Sequence, residues 1–445
     1  MNYSDSERIA GFLTSKKFKP TQNINEAKLI IFNTCGVRQM AEDRVYGQIH
    51  NLKKQELTSK EQKIIILTGC LANRPDVKRR LKNKVDLFTS IKDFPNNFQK
   101  LLNIKYPVKL RHEVSKISNT SENISDYFHI NPEITNKHQA LVPIMTGCNN
   151  FCAYCVVPYA RGRETSRPAD EIISEIRKLV KDGTKHIILL GQNVNSYASQ
   201  FYKFNKIHKE INFSKLLQKI NAIPGKFWIT FVSSHPKDVT NEMVEMVAKC
   251  KKVCENFHLP IQAGNDEVLK NMNRKYTQKQ YLQKIRKIKT AFKKYKPNAP
   301  FSLTSDIIVG FPGETKNQFS DSAEVMRKAE YDMVYFGQFS PRPQTTAWKM
   351  KDNISKKEKQ RRHQYLNEIL KKTCLKNNKK YVGKVLEVLV EEFKTETYFG
   401  KTRTMKNVKI ISNKKNLVGK IVKVKIIKAN IWNLEGVYHP TGGRP

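Results

Sequence analysis

At 445 residues the chain is too long for one ordinary core and fits two or three domains. Its 39% hydrophobic and 27% charged residues are those of a globular protein, and no apolar run reaches the roughly eighteen residues a membrane-spanning helix needs. Lys plus Arg total 81 against 40 Asp plus Glu, a formal charge of +41 that favours a polyanion held through phosphates, although abundant Lys, Asn and Ile throughout also fit compositional drift.

The first residues, Met1-Asn2-Tyr3-Ser4-Asp5, carry neither a basic nor an apolar signal region, so a cytoplasmic protein is expected. Ser4-Asp5-Ser6-Glu7 has the form of a capping box and predicts a helix through Arg8 to Leu13. Short apolar runs at Leu29–Asn33, Lys63–Thr68 and Asp86–Thr89 then alternate with helical patterns, the rhythm of a parallel α/β domain over residues 1–105. Cys35 and Cys70 each follow the carboxyl end of one of these runs, where open parallel sheets gather their ligands. A polar stretch over 106–137 reads as a linker.

Six strand-like runs follow, at Leu141–Met145, His186–Leu190, Phe227–Val232, Asn256–Ile261, Leu303–Val309 and Met333–Phe339. Each precedes a helical or loop segment, so a partial (βα)6 barrel of the TIM type is expected over about 138–372. Polar residues cluster just after the strands: Cys148, Gln192 and Asn193, Ser234 and His235, Gln262. In a barrel that is the functional mouth. Residues 349–380 form a basic helical connector with twelve Lys or Arg against three acids. From about 375 to 440 short runs such as Lys384–Val390 and Val422–Ile427 predict a small closed β barrel, a shape that commonly binds single-stranded nucleic acid.

Eight cysteines in a reducing compartment read as metal chemistry rather than disulfides. Cys148, Cys152 and Cys155 are spaced Cys-x3-Cys-x2-Cys on one short loop, with no fourth cysteine or histidine close by. Structural zinc would be left one ligand short. A four-iron cluster on three thiolates instead leaves one iron open, and S-adenosylmethionine can bind there through its amino and carboxylate groups. An incidental cysteine group and a zinc site are the alternatives to this reading. Tyr154 stands before the third cysteine and suits a packing aromatic beside the adenine. Gln192 and Asn193 suit contact with the same cofactor, against a turn with satisfied amides. Cys250, Cys254 and Cys374 read as small buried side chains, and His235 and His258 as hydrogen-bonded strand-end histidines that no carboxylate accompanies.

The stretch Cys148-Asn-Asn-Phe-Cys152-Ala-Tyr-Cys155-Val-Val-Pro-Tyr-Ala-Arg161-Gly-Arg163-Glu164-Thr-Ser166-Arg167 resembles the radical S-adenosylmethionine methylthiotransferases. Further matches are Gly191–Tyr197, Ser234–Pro236, His258–Gly264, Asp306–Thr315 and Ser340–Pro343, and together they span nearly the whole chain. The Gly-Gln-Asn-Val-Asn segment points most directly to the branch that makes 2-methylthio-isopentenyladenosine in tRNA. The resemblance implies an N-terminal methylthiotransferase domain, a radical core, a C-terminal TRAM domain and two four-iron clusters. One S-adenosylmethionine would supply a methyl group to sulfur on the auxiliary cluster, and a second would make the radical that activates carbon 2 of an adenine beside the anticodon.

Within that resemblance Cys148, Cys152 and Cys155 hold the radical cluster, while Cys35 and Cys70 match two of three auxiliary ligands. Gly400 to Lys406 looks like the RNA-facing TRAM loop, with Arg403 and Lys406 as RNA contacts. In the family the third auxiliary cysteine ends a strand and is followed by Gln-Met-Asn. Met1-Asn2 looks like the end of that phrase, so a strand and a ligand are expected upstream of the chain as given. The implied partners are tRNA and an electron donor such as flavodoxin or ferredoxin, with the protein a monomer. Rival substrates are threonylcarbamoyl-adenosine in tRNA and a ribosomal-protein aspartate. The basic connector argues against the aspartate, and the intact cysteine triad argues against a protein that only binds RNA.

Overall fold

The computed structural model describes residues 1–36, 39–59, 62–105, 127–203 and 206–440; most of the expected linker, 106–126, lies outside them. Contacts divide the chain into two units, one of residues 1–135, 146–165 and 342–348, the other of 136–145, 166–341 and 349–445.

In the first unit β1 (Leu29–Thr34), β2 (Ile64–Gly69) and β3 (Leu87–Phe88) form a parallel sheet in the order β1-β2-β3. Successive side chains of β2 feed opposite faces, Ile66 into a cluster with Ile9, Phe12, Phe94 and Phe98, and Ile65 and Leu67 into one with Tyr46, Ile49 and Val77. Covering both faces explains why these runs read as continuously apolar. The first helix starts earlier than its apparent capping box: it spans Asn2–Ser15, with Met1 as N-cap and no side-chain cap. Ser4 and Asp5 are fully buried, and tertiary partners take the polar groups that would otherwise cap. Asp5 bonds Tyr127 and Arg161, and Glu7 accepts from Thr135.

The second unit holds six parallel strands: β4 (Gln139–Pro143), β5 (His186–Leu190), β6 (Trp228–Phe231), β7 (Asn256–His258), β8 (Ser302–Val309) and β9 (Met333–Gln338). They pair as β6-β5-β4 and β7-β8-β9. The two sheets are joined where Cys254 N–H bonds Ile229 C=O at 2.9 Å and Ile229 N–H bonds Lys252 C=O at 2.8 Å. This is the expected partial barrel, with every strand end within three residues of its expected place. Local chemistry starts its helices: Asn212 and Thr240 accept N-terminal amides, while Thr277 with Gln280 and Thr315 with Gln318 make full capping boxes.

The basic connector is a helix, Lys356–Lys379, capped by Ser355. Leu366, Leu370 and Cys374, four apart, form its buried stripe, which accounts for that cysteine. Five strands, β10 (Val385–Lys394), β11 (Thr397–Thr402), β12 (Asn407–Ile411), β13 (Ile421–Ala429) and β14 (Asn433–Tyr438), then close a barrel in the order β10-β11-β12-β14-β13. Alternate residues fill it: Val388 and Val390, Val408 and Ile410, Val424 and Ile426. At Gly400 any Cβ would lie 2.3 Å from the Leu389 carbonyl oxygen, so only glycine allows β11 to close on β10.

Candidate metal and cofactor site

In the first unit the Cys148 to Cys155 loop is held by its backbone. Gly147 has φ +79, and a Cβ there would sit 2.1 Å from the Arg163 carbonyl oxygen. Cys148 N–H bonds Gly162 C=O at 3.2 Å, and Cys155 N–H bonds Cys152 C=O at 2.9 Å. Phe151 adopts φ +46, with the Arg163 guanidinium 4.5 Å from its ring centre and Tyr159 edge-on. Ala347 N–H bonds Ala153 C=O at 2.7 Å and ties down the middle of the loop.

Cys148 and Cys152 are buried, Cys155 and Tyr154 half-buried. Desolvation pushes the Cys155 thiol up to about 12, with the neighbouring Cys152, Cys148 and Cys70 adding to the shift. The same burial raises Cys148, which Asn150 Nδ2 partly offsets by donating to its sulfur at 3.4 Å. Burial thus favours the neutral thiol at Cys148 and Cys155, which disfavours a free nucleophile there, and a bound metal would displace those protons.

The two earlier cysteines come to the same place. Cys70 N–H bonds Thr34 C=O at 3.0 Å, and a Cβ on Gly36, next to Cys35, would lie 3.2 Å from Cys70 Cβ and 3.4 Å from Val156 Cγ2. Gly36 therefore lies between Cys70 and the turn that follows Cys155, and Cys70 is within electrostatic reach of Cys155. Arg161, at the end of that turn, donates to Asp5 at 2.5 Å and to Asn2 at 3.3 Å, and it lies within electrostatic reach of Cys70. Arg342 bonds Gln39 at 2.6 Å and reaches Cys35 in the same way. Arg161 Nη1, Thr68 Oγ1 and Asn33 Oδ1 are buried around these thiols without a hydrogen-bond partner. Two thiols, two guanidinium groups and unsatisfied polar atoms fit an anionic group held at Cys35 and Cys70. The pattern that could have revealed Arg161 is its place in the Tyr-Ala-Arg-Gly-Arg run of a cysteine motif.

In the second unit Gln192 and Asn193 follow β5 as expected. Asn193 Nδ2 donates to Ser196 at 2.9 Å and Asp238 at 2.7 Å, and Val194 N–H bonds Ser233 C=O, so the loops after β5 and β6 adjoin. Gln192 Oε1, Asn193 Oδ1, both polar atoms of the Asn195 side chain, Ser234 Oγ and His235 Nε2 are buried there without partners. That concentration fits a polar cofactor such as S-adenosylmethionine. Sequence reasoning missed Asn195 and read His235 as an ordinary strand-end residue. Burial, then Arg274 and Lys237, pushes His235 down to about 2. With Nδ1 accepting from Lys237 N–H, its Nε2 carries the proton and is an available donor. His258 is a hydrogen-bonded strand-end histidine, as expected, with Nδ1 2.9 Å from Thr304 Oγ1, but a carboxylate accompanies it: Nε2 lies 3.3 Å from Asp306 Oδ2.

The residues expected to contact RNA are both ion-paired within the second unit. Arg403 bonds both Glu255 oxygens at 2.8 Å and stands 5.8 Å from the Trp228 ring centre, and Lys406 pairs with Asp332 at 2.8 Å. Buried acids at the start of the (βα)6 strands take both charges, so the loop 402–406 docks the small barrel rather than presenting free cations. Cys250, Cys254 and Cys374 are buried, as expected.

Three family profiles match: the Radical SAM superfamily over residues 142–326, Uncharacterized protein family UPF0004 over 1–90, and the TRAM domain over 379–438. The tRNA-2-methylthio-N(6)-dimethylallyladenosine synthase of Clostridium botulinum (strain Okra / Type B1) is 41% identical over 444 residues, 98% of this chain and 94% of that protein. The chain belongs to the tRNA-2-methylthio-N(6)-dimethylallyladenosine synthase family. A member from Acetivibrio thermocellus is 39% identical over 98% of this chain and 88% of its own length. A radical S-adenosylmethionine methyltransferase from Kitasatospora setae superimposes with a TM-score of 0.48 at 12% identity, covering 76% of this chain and 66% of that one. As a radical S-adenosylmethionine iron-sulfur enzyme of this family, the chain uses a four-iron cluster and S-adenosylmethionine. No helix among the described residues is long and apolar enough to cross a membrane.

Proposed function

We propose that the chain adds a 2-methylthio group to isopentenyladenosine beside the anticodon of tRNA, as a cytoplasmic monomer that takes electrons from a flavodoxin or ferredoxin. The observation that carries this reading is the nearness of Cys70 to the Cys155 loop, with Gly36, next to Cys35, between Cys70 and the turn after Cys155. A radical motif alone serves many reactions, but a second thiol pair near it suits sulfur delivery next to radical formation. The relatives' names and the basic C-terminal half support the RNA substrate.

Cys148, Cys152 and Cys155 would hold the radical cluster. Cys35 and Cys70 would be ligands of the auxiliary one. When bound, these groups and S-adenosylmethionine supply the 5'-deoxyadenosyl radical, the methyl group and the sulfur. Gln192 and Asn193 would orient the cofactor, His235 would donate a hydrogen bond to it as a neutral imidazole, and Arg161 and Arg342 would balance negative charge at Cys70 and Cys35. The test is mass spectrometry of tRNA nucleosides after incubating the reconstituted protein with isopentenylated, unthiolated tRNA. Appearance of 2-methylthio-isopentenyladenosine is expected; unchanged nucleosides overturn the reading.

A further inference from the structure

Arg161 ends the one-turn helix Val157–Arg161 that follows Cys155, and its side chain is only 4% exposed. A guanidinium keeps its charge and all its N–H donors at any ordinary pH, so burying one asks for acceptors on every side. One arm has them. Nη2 donates to Asp5 Oδ2 at 2.5 Å and to Asn2 Oδ1 at 3.3 Å, and Tyr127 Oη donates to the other Asp5 oxygen at 2.5 Å and fixes it from behind. The other arm does not: Nη1 is buried and meets no acceptor among the described residues. Burial opposes the charge, yet Asp5 and then Cys70 outweigh it and hold the guanidinium above its ordinary value.

The same side chains tie Arg161 to the cysteines. Asn2 Nδ2 donates to the Thr34 carbonyl at 3.0 Å, and that carbonyl also takes the Cys70 N–H at 3.0 Å. One asparagine thus links the guanidinium to the strand end that carries Cys70. A charged N–H buried without an acceptor is costly, and an anionic acceptor beside Cys70 removes the cost. We propose that Arg161 Nη1 donates a hydrogen bond to a sulfur of the iron-sulfur group held at Cys70 and Cys35, with Asp5 and Tyr127 as the positioning residues that aim it. The inference rests on the auxiliary-cluster reading above and goes beyond charge balance. A directed N–H···S bond draws electron density from sulfur and raises the group's reduction potential, which a cation without that direction does less well.

The experiment reconstitutes the full chain anaerobically with iron and sulfide and follows a redox titration by EPR, with S-adenosylmethionine added to set the radical cluster's signal apart. Arg161→Gln should move the second cluster's potential to a more negative value. Arg161→Lys keeps the charge and loses the two-armed donor, so it should not restore the wild-type value; a wild-type potential in Arg161→Lys overturns the directed bond. Where Arg161→Gln fails to assemble the second cluster, Asp5→Asn decides. That change keeps the shape of the side chain and removes the charge that offsets Arg161, so the potential should rise, and an unchanged potential overturns the inference. A wild type that binds about four irons rather than about eight overturns the auxiliary-cluster reading and this inference together, whereas about eight irons with one potential in all variants overturns this inference alone.

Discussion

Arg403 grips Glu255 with two hydrogen bonds of 2.8 Å, so a cation expected to face RNA instead fastens the small barrel to the larger one. Removing it by Arg403→Ala leaves the buried Glu255 carboxylate paired with Lys296, 2.9 Å away, and should cost about 2 kcal/mol, less than the roughly 3–5 kcal/mol of a buried pair broken outright. Burial opposes ionisation of Glu255, but Arg403 and Lys296 outweigh it and hold the carboxyl below its ordinary value. The pair's contribution is therefore complete above the unfolded value of about 4.3 and is lost as pH falls through the lower folded value. Urea titrations at pH 7 and pH 4 measure both effects; equal stability of wild type and variant at pH 7 would count against the pair.

The eight cysteines should divide by function. Ala at Cys148, Cys152 or Cys155 should abolish reductive cleavage of S-adenosylmethionine and lose about four irons per chain, because two thiolates cannot hold the cluster. Ala at Cys250, Cys254 or Cys374 should keep the iron and cost only small-cavity stability, on the order of 1–2 kcal/mol. Iron analysis with 5'-deoxyadenosine chromatography separates the groups. A triad variant that still forms 5'-deoxyadenosine at the normal rate would contradict the assignment.

Elements with strong periodicity were legible from residues alone. The six barrel strands show as apolar runs because both ends of each are set by turn residues, and the Cys-x3-Cys-x2-Cys spacing carries its own chemistry. Burial was what misled elsewhere. Ser4 and Glu7 look like a capping box, yet Ser4 is buried inside the helix and Glu7 accepts from Thr135, and Arg403 and Lys406 look like surface cations although their partners, Glu255 and Asp332, lie far away in sequence. The pairing of His258 with Asp306 was hidden for the same reason: adjacent strands bring together residues separated by almost fifty positions. Pairings across strands are decided by register, which single-sequence patterns do not encode.

Two buried histidines give the fold a pH dependence. Burial, then Lys401 and Arg403, pushes His186 down to about 3, and His235 is held near 2 by burial, Arg274 and Lys237. Between these values and the unfolded value of about 6.5, the unfolded chain holds protons that the folded chain lacks. Stability is therefore full above about 6.5 and falls as pH drops, by up to about 1.4 kcal/mol per pH unit for each histidine. Replacing His186 with Gln should flatten the decline between pH 6.5 and 4.5 by roughly one proton. Thermal or urea unfolding across that range reads the slope, and an identical slope in the variant would show that His186 is not held neutral.

If Arg403 and Lys406 are docked, phosphate contact must come from other cations of the small barrel. Lys423 and Lys425 stand two apart on β13 and so share its outer face, and Lys409 on β12 is likewise exposed. Ile411 and Val437, opposite each other across β12 and β14, are exposed beside them, and Lys425 pairs with Val437 in register. This face joins unpaired positive charge to apolar surface, the combination that tracks a nucleic-acid backbone and packs against its bases. Changing Lys409, Lys423 and Lys425 together to Gln should lower the slope of log affinity for tRNA against log salt by about 0.7–0.9 for each lost phosphate contact. These side chains are solvated, so the fold should be little affected. By contrast, Arg403→Ala should lower stability and leave the salt slope nearly intact in protein that remains folded. Filter binding from 50 to 300 mM salt, with unfolding curves on the same preparations, separates the roles. A salt slope that falls for Arg403→Ala and stays unchanged for the triple variant would restore the loop 402–406 as the phosphate contact.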